Sequence, residues 1–167
     1  MQGTLRRLRA KRADGDRGFT LIELLVVVVI IGVLVAIAIP LYLNYRKGAE
    51  NKSAQSDVRG AVSAVEQFYT ENGNAYPVTG DNTAGVGQNL VFGLTASGLP
   101  GTGAGGTLQT ATVSAGDTLK YQNNNASYVI CGQNGDGQDL YVYNSANGGQ
   151  VKKSSQATMA LCLSTGS

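Results

Sequence analysis

The hydrophobic residues of this chain follow two patterns that meet at Pro40. From Phe19 to Ile39 the sequence is almost continuously apolar, and Glu23 is its only charged residue. A helix of this length spans about 31 Å at roughly 1.5 Å per residue, which matches the hydrocarbon core of a bilayer. After Pro40, apolar residues recur every three or four positions, which predicts an amphipathic helix. The sequence therefore predicts one long helix with an apolar first half and a second half that carries a single apolar stripe.

The second half of the helix has a predicted end and requires a partner. The turn residues of Asn72–Asn74, followed by Tyr76-Pro77, predict that the helix ends near Glu71. The connection from residue 78 to 106 is predicted to be an exposed loop, with a short helical turn near Asn89–Leu94. The apolar stripe that needs a partner consists of Ala54, Val58, Ala61, Val62, Val65, Phe68 and Tyr69.

Residues 107–163 contain the segments predicted to pack on that stripe. The segments are short, β-prone and separated by Gly, Asn and Asp, so the predicted fold is α+β, a long N-terminal helix on an antiparallel sheet. Leu140 and Val142 alternate with Tyr141 and Tyr143, as expected of a strand with two differently covered faces. The predicted strands are Thr107–Val113, Thr118–Gln122, Tyr128–Cys131, Leu140–Tyr143 and Gln150–Lys153.

The charges are unevenly distributed along the chain. Residues 1–17 hold six basic and two acidic residues and lack apolar periodicity, so they are interpreted as a processing segment. Their positive charge predicts that the N-terminus stays cytoplasmic and the C-terminal part is translocated. Residues 19–167 carry seven basic and nine acidic residues, a net charge of −2, which does not form a basic field for nucleic acid.

The numbers of histidines and cysteines restrict the kinds of catalytic site, metal site and disulfide that the chain can form. The chain has no histidine, which excludes Ser-His and Cys-His catalysis and His-based zinc sites. Cys131 and Cys162 lie on the translocated, oxidising side, where a disulfide is the predicted state. The disulfide would close a loop of about 32 residues and stabilise the folded state by about 3.7 kcal/mol, because it lowers the conformational entropy of the unfolded chain. Two free thiols or a metal pair are the alternatives.

The segment Gly18-Phe19-Thr20-Leu21-Ile22-Glu23, after a basic leader and before an unbroken apolar run, resembles the N-terminus of type IV pilins. In that family a prepilin peptidase cuts after the glycine and N-methylates the new terminal phenylalanine. The glutamate is thought to meet the N-terminal amine of a neighbouring subunit during assembly. The resemblance therefore implies cleavage after Gly18, methylation of Phe19 and an assembly role for Glu23.

The resemblance also implies a division of the chain and a set of partners. Residues 1–18 would be the removed leader, residues 19–40 the transmembrane and fibre-core half of the helix, and residues 41–167 the amphipathic half plus the globular β-domain. The implied location is the cytoplasmic membrane, crossed once, before assembly and an extracellular pilus afterwards. The implied partners are copies of the same chain in a helical filament, the prepilin peptidase and methyltransferase, an inner-membrane assembly platform and the membrane. No cofactor is expected.

The electrostatics of Glu23 support this interpretation independently. A carboxylate inside a membrane segment costs up to about 2.5–3.5 kcal/mol at mid-bilayer. After cleavage, the amine of Phe19 would be a positive charge close to Glu23, but the two groups stack in line along one helix. A neighbouring copy shifted along the fibre could offer its amine sideways and compensate the buried charge. The alternative is that Glu23 is an interfacial residue at the lipid headgroups.

Gly32 and Pro40 interrupt the helix-forming pattern of the apolar half. Proline removes a backbone hydrogen bond and glycine adds backbone freedom. In type IV pilins the stretch between equivalent residues can lose helicity in the filament, so the resemblance implies the same for residues 32–40, and a gentle bend of the membrane helix is the alternative. A separate alternative for the whole segment is a secretory signal, since Ala36-Ile37-Ala38 fits a small-x-small cleavage site. That reading predicts a mature chain starting at Ile39 rather than Phe19.

A weak metal candidate lies between two predicted strands. The stretch Asn134–Asp139 alternates oxygen-bearing side chains, and Asp136 and Asp139 could bind calcium. It lacks the spacing that ends in a bidentate glutamate, and a polar hairpin turn explains it equally simply.

Three functions follow from these features. The first is a structural subunit of a type IV pilus, for which adhesion or motility would be consequences of the fibre. The second is a pseudopilin of a type II secretion system, which shares the leader and helix. The third is a membrane-anchored binding or enzymatic domain, which the absence of histidine and of a phosphate-binding glycine loop disfavours. We therefore expect a protein without enzymatic activity.

Overall fold

The computed structural model describes residues 18–78, 89–93 and 107–167. The basic segment 1–17 and most of the connection between residues 78 and 107 lie outside the described residues. The chain divides into two compact units, Met1–Leu43 and Asn44–Ser167. Helix α1 (Leu21–Glu71) contains residues of both units.

The described part of the first unit is the apolar half of α1. The large apolar side chains from Leu21 to Leu43 are exposed by 45 to 84%. Among the described residues, α1 is the one helix long and apolar enough to cross a membrane, and its apolar 18-residue stretch has a mean hydropathy of 3.3. A signal sequence near an N-terminus would have the same properties. The helix is continuous through Gly32 and Pro40 in the single chain. The expected loss of helicity concerns the filament and stays a prediction.

The described residues of the second unit form six strands in two antiparallel sheets and a short C-terminal helix. A two-stranded sheet pairs β1 with β2, and a four-stranded meander has the order β3-β4-β5-β6. A turn of 3₁₀ helix (Ser145–Asn147) follows β5, and α2 (Met159–Thr165) closes the chain. The strands are β1 (Leu90–Phe92), β2 (Gln109–Ala111), β3 (Asp117–Asn123), β4 (Tyr128–Asn134), β5 (Leu140–Asn144) and β6 (Lys152–Lys153).

The four-stranded sheet is covered on both faces, as the alternation in β5 predicts. One face packs on the amphipathic half of α1, where Ala54, Val58 and Phe68 are fully or almost fully buried. On the other face Val129, Leu140 and Val142 form a smaller core with α2. The predicted α+β class is confirmed. The apolar stripe of α1 lies in the core, except that Val62 and Tyr69 are half-buried.

Tyrosine rings form a connected cluster inside this core. Tyr128 lies at its centre, with ring centroids 5.0 Å from Tyr76, 5.9 Å from Tyr121 and 5.6 Å from Tyr143. The Tyr128 hydroxyl donates a 2.6 Å hydrogen bond to Glu66 on α1. Burial, and then the Glu66 carboxylate, raise the pKa of Tyr128 far above the ordinary range of a phenol. The buried hydroxyl is thereby satisfied and connects the sheet to the helix.

Two elements differ from the prediction. The helical turn expected at Asn89–Leu94 is wrong, because Leu90–Phe92 is a strand paired with Gln109–Ala111. Leu90 and Phe92 are buried while Val91 between them is only half-buried, which is the period of a strand rather than of a helix. Helix α2 was not predicted, although its caps have sequence signals. The Thr158 side chain accepts a hydrogen bond from the Leu161 N–H, and Gly166 ends the helix at φ 66°.

Gly132 on β4 lies at a tight contact between α1 and the sheet. A Cβ added there would clash with side-chain atoms of Val58 on α1 and Leu119 on β3. Gly132→Ala is therefore expected to destabilise the fold by about 1–3 kcal/mol, the range for an overpacked core. The measurement is chemical unfolding of the purified protein in detergent. The control is Gly60→Ala, an open helical position, where alanine should stabilise by about 0.5–1 kcal/mol; equal effects of the two substitutions would contradict this packing.

Two aspartates from different elements meet at the same edge of the helix–sheet interface. Asp117, fully buried at the start of β3, accepts hydrogen bonds from Ser53 on α1 at 2.8 Å and from Asn134 at 2.5 Å. Asp57 on α1 accepts the Ser114 N–H at 2.6 Å. Burial raises the pKa of Asp57, the Ser114 N–H opposes this, and the Asp117 carboxyl raises the pKa further.

A raised pKa means that the folded state favours the neutral carboxyl of Asp57. The stabilisation of the neutral form is complete below the ordinary pKa of 3.8 and is lost as the pH rises through the higher folded value. Asp57→Asn keeps one oxygen for Ser114 and carries no charge. We expect the melting temperature of this variant to exceed that of the wild type at neutral pH, with the difference disappearing in acid. Thermal melts across this pH range test it; a constant difference at every pH would contradict it.

Candidate assembly site

The predicted site residues Gly18, Phe19 and Glu23 lie together at the start of α1. Phe19 is 89% exposed, and space around Gly18 is open. Both residues precede Leu21, the first residue of the helix, so the bond between Gly18 and Phe19 lies outside the helix hydrogen-bonding pattern. A peptidase can therefore bind this bond in an extended conformation without unwinding α1. Cleavage and methylation stay predictions.

Glu23 is hydrogen-bonded to the residue that precedes the helix. Its Oε2 accepts from the Thr20 backbone N–H at 2.8 Å and from the Thr20 hydroxyl at 2.7 Å. The Glu23 N–H donates to the Thr20 hydroxyl oxygen at 3.3 Å. This reciprocal arrangement is a capping box, which satisfies otherwise unpaired N–H groups at a helix start. Glu23 therefore has local hydrogen-bond partners, and none of the ion pairs found among the described residues involves it.

Thr20 is the residue of this site that the sequence interpretation missed. The signal was present, because Thr20-Leu21-Ile22-Glu23 has the Thr-x-x-Glu spacing of a capping box before an apolar run. The box holds the Glu23 carboxylate at the N-terminal end of α1, where the helix dipole favours negative charge. Thr20 thus positions the carboxylate close to the predicted new N-terminus.

The surface around this end of α1 is apolar. Ile22, Leu24 and Val26 are exposed by 50 to 67%, and the neighbouring residues of the same unit are exposed to a similar degree. Among the described residues of the first unit no other element covers them. An exposed apolar surface of this extent requires lipid or another protein surface.

The predicted calcium loop is a turn between β4 and β5. The Asn134 Oδ1 accepts the N–H groups of Asp136 and Gly137, as in an Asx turn. Arg46 donates to Asp136 at 2.7 Å, and Lys153 pairs with Asp139 at 2.5 Å. Both candidate carboxylates therefore have a protein cation, which favours the alternative of a polar hairpin turn. Calcium binding itself is untested.

Cys131 on β4 and Cys162 on α2 form the predicted disulfide. Their Cα atoms are 6.3 Å apart, within the range of an ordinary disulfide. Both cysteines are fully buried among Val129, Leu140 and Val142. The bond attaches the C-terminal helix to the central part of the sheet.

The comparisons with known proteins agree with this arrangement. Residues 14–39 match the family described as the prokaryotic N-terminal methylation motif. The type IV major fimbrial protein FimA of Dichelobacter nodosus is 39% identical over 107 residues, 64% of this chain and 62% of the relative. The type IV major pilin PilE of Neisseria gonorrhoeae is 42% identical over 75 residues, 44% of this chain and 43% of the relative.

A relative from a second kind of system is equally similar. The type II secretion system core protein G of Escherichia coli K12 is 36% identical over 69 residues, 41% of this chain and 47% of the relative. The matches with these three relatives cover between 43 and 62% of the relatives' own length.

The match to the methylation motif, followed by a long apolar helix, makes the N-terminal part of the chain similar to that of type IV pilin-like proteins. The named relatives are a fimbrial protein, a pilin and a secretion-system core protein, and none of these three names is that of an enzyme. By sequence identity, the chain is similar both to pilins and to a type II secretion core protein.

Proposed function

We propose that this chain is the structural subunit of a type IV pilus, processed after Gly18, methylated on Phe19 and assembled through Glu23. The observation that carries the proposal is the exposed apolar half of α1, which begins with the methylation motif and has no partner among the described residues of its unit. Before assembly, the membrane would cover this surface. In the fibre, the same surface of neighbouring copies would replace the lipid.

The proposed assembly contact uses the capped carboxylate. Cleavage after Gly18 would create a positive amine on Phe19, and a neighbouring copy would bring its amine to Glu23. Because Glu23 already accepts two hydrogen bonds from Thr20, it would arrive with its carboxylate oriented rather than free to rotate. The charge–charge contact would then compensate the one ionised side chain of the apolar segment.

The proposed location follows from the same segment. The basic residues before Gly18 would hold the N-terminus in the cytoplasm, and the disulfide-bonded sheet domain would lie on the outer side. The prepilin peptidase and an inner-membrane assembly platform would be its partners before fibre formation. Adhesion or motility would be properties of the finished fibre.

The second candidate is a pseudopilin of a type II secretion system. The similarity to a type II secretion core protein supports it. The two functions differ in the length and location of the fibre at native expression. Long surface fibres labelled by an antibody to the sheet domain would support the pilus subunit, and a short structure confined to the envelope would support the pseudopilin.

The test of processing is mass spectrometry of the mature protein with a Gly18→Val variant. Wild type should begin with methylated Phe19, and Gly18→Val should accumulate as precursor because a bulky residue before the cut would crowd a peptidase site that takes glycine. Gly48→Ala, at an open helical position, is the control and should be processed normally. A mature chain starting at Ile39 would instead support the secretory-signal interpretation.

A further inference from the structure

The chain contains three Asn-Gly dipeptides in different structural settings: Asn72-Gly73, Asn134-Gly135 and Asn147-Gly148. An asparagine before glycine is chemically vulnerable, because glycine has no Cβ to shield its backbone nitrogen from the asparagine side chain. Attack by this nitrogen on the side-chain carbonyl carbon expels ammonia. Whether the attack occurs in a folded protein depends on how firmly both groups are held.

Two of the three asparagines have side chains held by hydrogen bonds, and at Asn134 the nitrogen of the following glycine is held as well. Asn134 is 4% exposed, and its amide group donates to Asp117 and accepts from Asp136 and Gly137. The nitrogen of Gly135 donates to the Gly116 carbonyl at 3.0 Å.

Asn72 is held mainly through its side-chain nitrogen. This nitrogen donates to the carbonyl groups of Phe68 at 2.9 Å and Thr107 at 3.1 Å, and the Asn72 Oδ1 is buried. Rotation of the amide toward Gly73 would break both hydrogen bonds.

Asn147 is in the opposite situation. It is the last residue of the three-residue 3₁₀ helix and is exposed, and none of the hydrogen bonds found among the described residues uses its side chain. The nitrogen of Gly148 is held by a single 3.2 Å hydrogen bond to Ser145. No atom lies within 4 Å of the positions that a Cβ would take on Gly148 or Gly149, so the segment is open to water on this side.

We propose that Asn147 is a site of selective deamidation in the folded protein. The Gly148 nitrogen forms a bond to the Asn147 Cγ, the Cγ–Nδ2 bond breaks, and ammonia leaves with the proton from Gly148. Water then opens the cyclic imide at either carbonyl and gives aspartate or isoaspartate. The net change consumes one water and releases one ammonia, without any oxidant or cofactor.

The product places a negative charge beside a groove of the second unit. Gly149, Gln150 and Val151, which directly follow the site, line a groove of about 410 Å³ together with Arg59 and Tyr143. None of the ion pairs found among the described residues uses Arg59. Conversion of Asn147 changes the charge of residues 19–167 from −2 to −3. The modification therefore alters the electrostatics of this surface progressively with the age of the molecule.

Peptide mapping by mass spectrometry of the full-length protein, incubated folded at neutral to mildly alkaline pH, tests the proposal. Aspartate and isoaspartate should accumulate at residue 147 roughly tenfold or more faster than at residues 72 and 134, because those two require local opening first. In denaturant, the three sites should react at comparable rates. This control separates protection by the fold from the influence of the flanking sequence.

Asn147→Gln provides the matched variant, because a longer side chain does not form the five-membered imide. It should abolish the conversion at this position and leave the melting temperature unchanged, since the residue is exposed and its side chain has no hydrogen bond to any part of the chain that the structure describes. Equal rates at the three sites in the folded protein, or conversion at residue 72 or 134 ahead of residue 147, would overturn the proposal. None of these outcomes depends on the pilus function.

Discussion

Glu23→Gln is expected to abolish fibres while leaving a processed, membrane-inserted subunit. The substitution is sharper than alanine, because glutamine also completes a capping box with Thr20 and so preserves the start of α1. It removes only the charge that a neighbouring amine would need. Loss of a buried charge–charge contact costs about 3–5 kcal/mol per subunit, and every subunit of a fibre would lose it. Electron microscopy of surface fibres and immunoblots of sheared fractions measure the outcome.

The controls separate charge from helix capping. Thr20→Val removes the hydroxyl of the box and keeps the Glu23 carboxylate, so it should reduce fibre yield less than Glu23→Gln does. N-terminal sequencing should show Phe19 as the first residue in each variant. Fibres at wild-type abundance in Glu23→Gln would remove the proposed electrostatic role and favour the alternative of an interfacial residue. Failure of processing in that variant would instead place Glu23 in peptidase recognition.

The second large effect concerns the disulfide between Cys131 and Cys162. Replacing both cysteines by alanine is expected to destabilise the second unit by about 2–5 kcal/mol, because the unfolded chain regains the freedom of the closed loop. The fold also loses buried sulfur atoms that pack in the core between the sheet and α2. Chemical unfolding of the purified protein in detergent, compared with reduced wild type, measures the effect. Reduced wild type should lie close to the alanine variant.

Leu161→Ala is the matched control on the same helix. Leu161 is 47% exposed and lies outside the disulfide-bonded core, so its truncation should change stability by about 0.5 kcal/mol or less. A double alanine variant as stable as oxidised wild type would show that packing alone holds α2 on the sheet. Protease sensitivity confined to the C-terminal residues would show that the disulfide acts locally.

The main elements were predictable because their patterns are long or regular. The apolar run, the stripe of α1 and the alternation in β5 each specify a buried or lipid-compatible face. Each of the short predicted strands overlaps an observed one, although those predicted at 107–113 and 150–153 are longer than β2 and β6. At the candidate site, Gly18, Phe19 and Glu23 were identifiable because they form one contiguous motif that needs no tertiary structure to recognise.

What escaped prediction depends on contacts between distant residues. Strand β1 has only three residues, and its strand character depends on pairing with β2, 17 residues beyond its end. The Asp57–Asp117 pair and the close approach at Gly132 likewise appear only when α1 packs on the sheet. Thr20 is different, because its capping role could have been read from the sequence. The sequence interpretation considered only the charge of Glu23, whereas the Thr20–Glu23 capping box is formed by residues three positions apart.

The tyrosine cluster around Tyr128 has a spectroscopic consequence. The chain contains eight tyrosines and no tryptophan, so its intrinsic fluorescence comes from phenol rings alone. Three of these rings have centroids within 5.9 Å of the ring of Tyr128, whose hydroxyl donates a hydrogen bond to the Glu66 carboxylate. A carboxylate acceptor quenches phenol emission, and unfolding separates the two groups. The tyrosine emission of the unlabelled protein should therefore rise when the contact between α1 and the sheet opens. Fluorescence can thus follow the unfolding of this core without an added label.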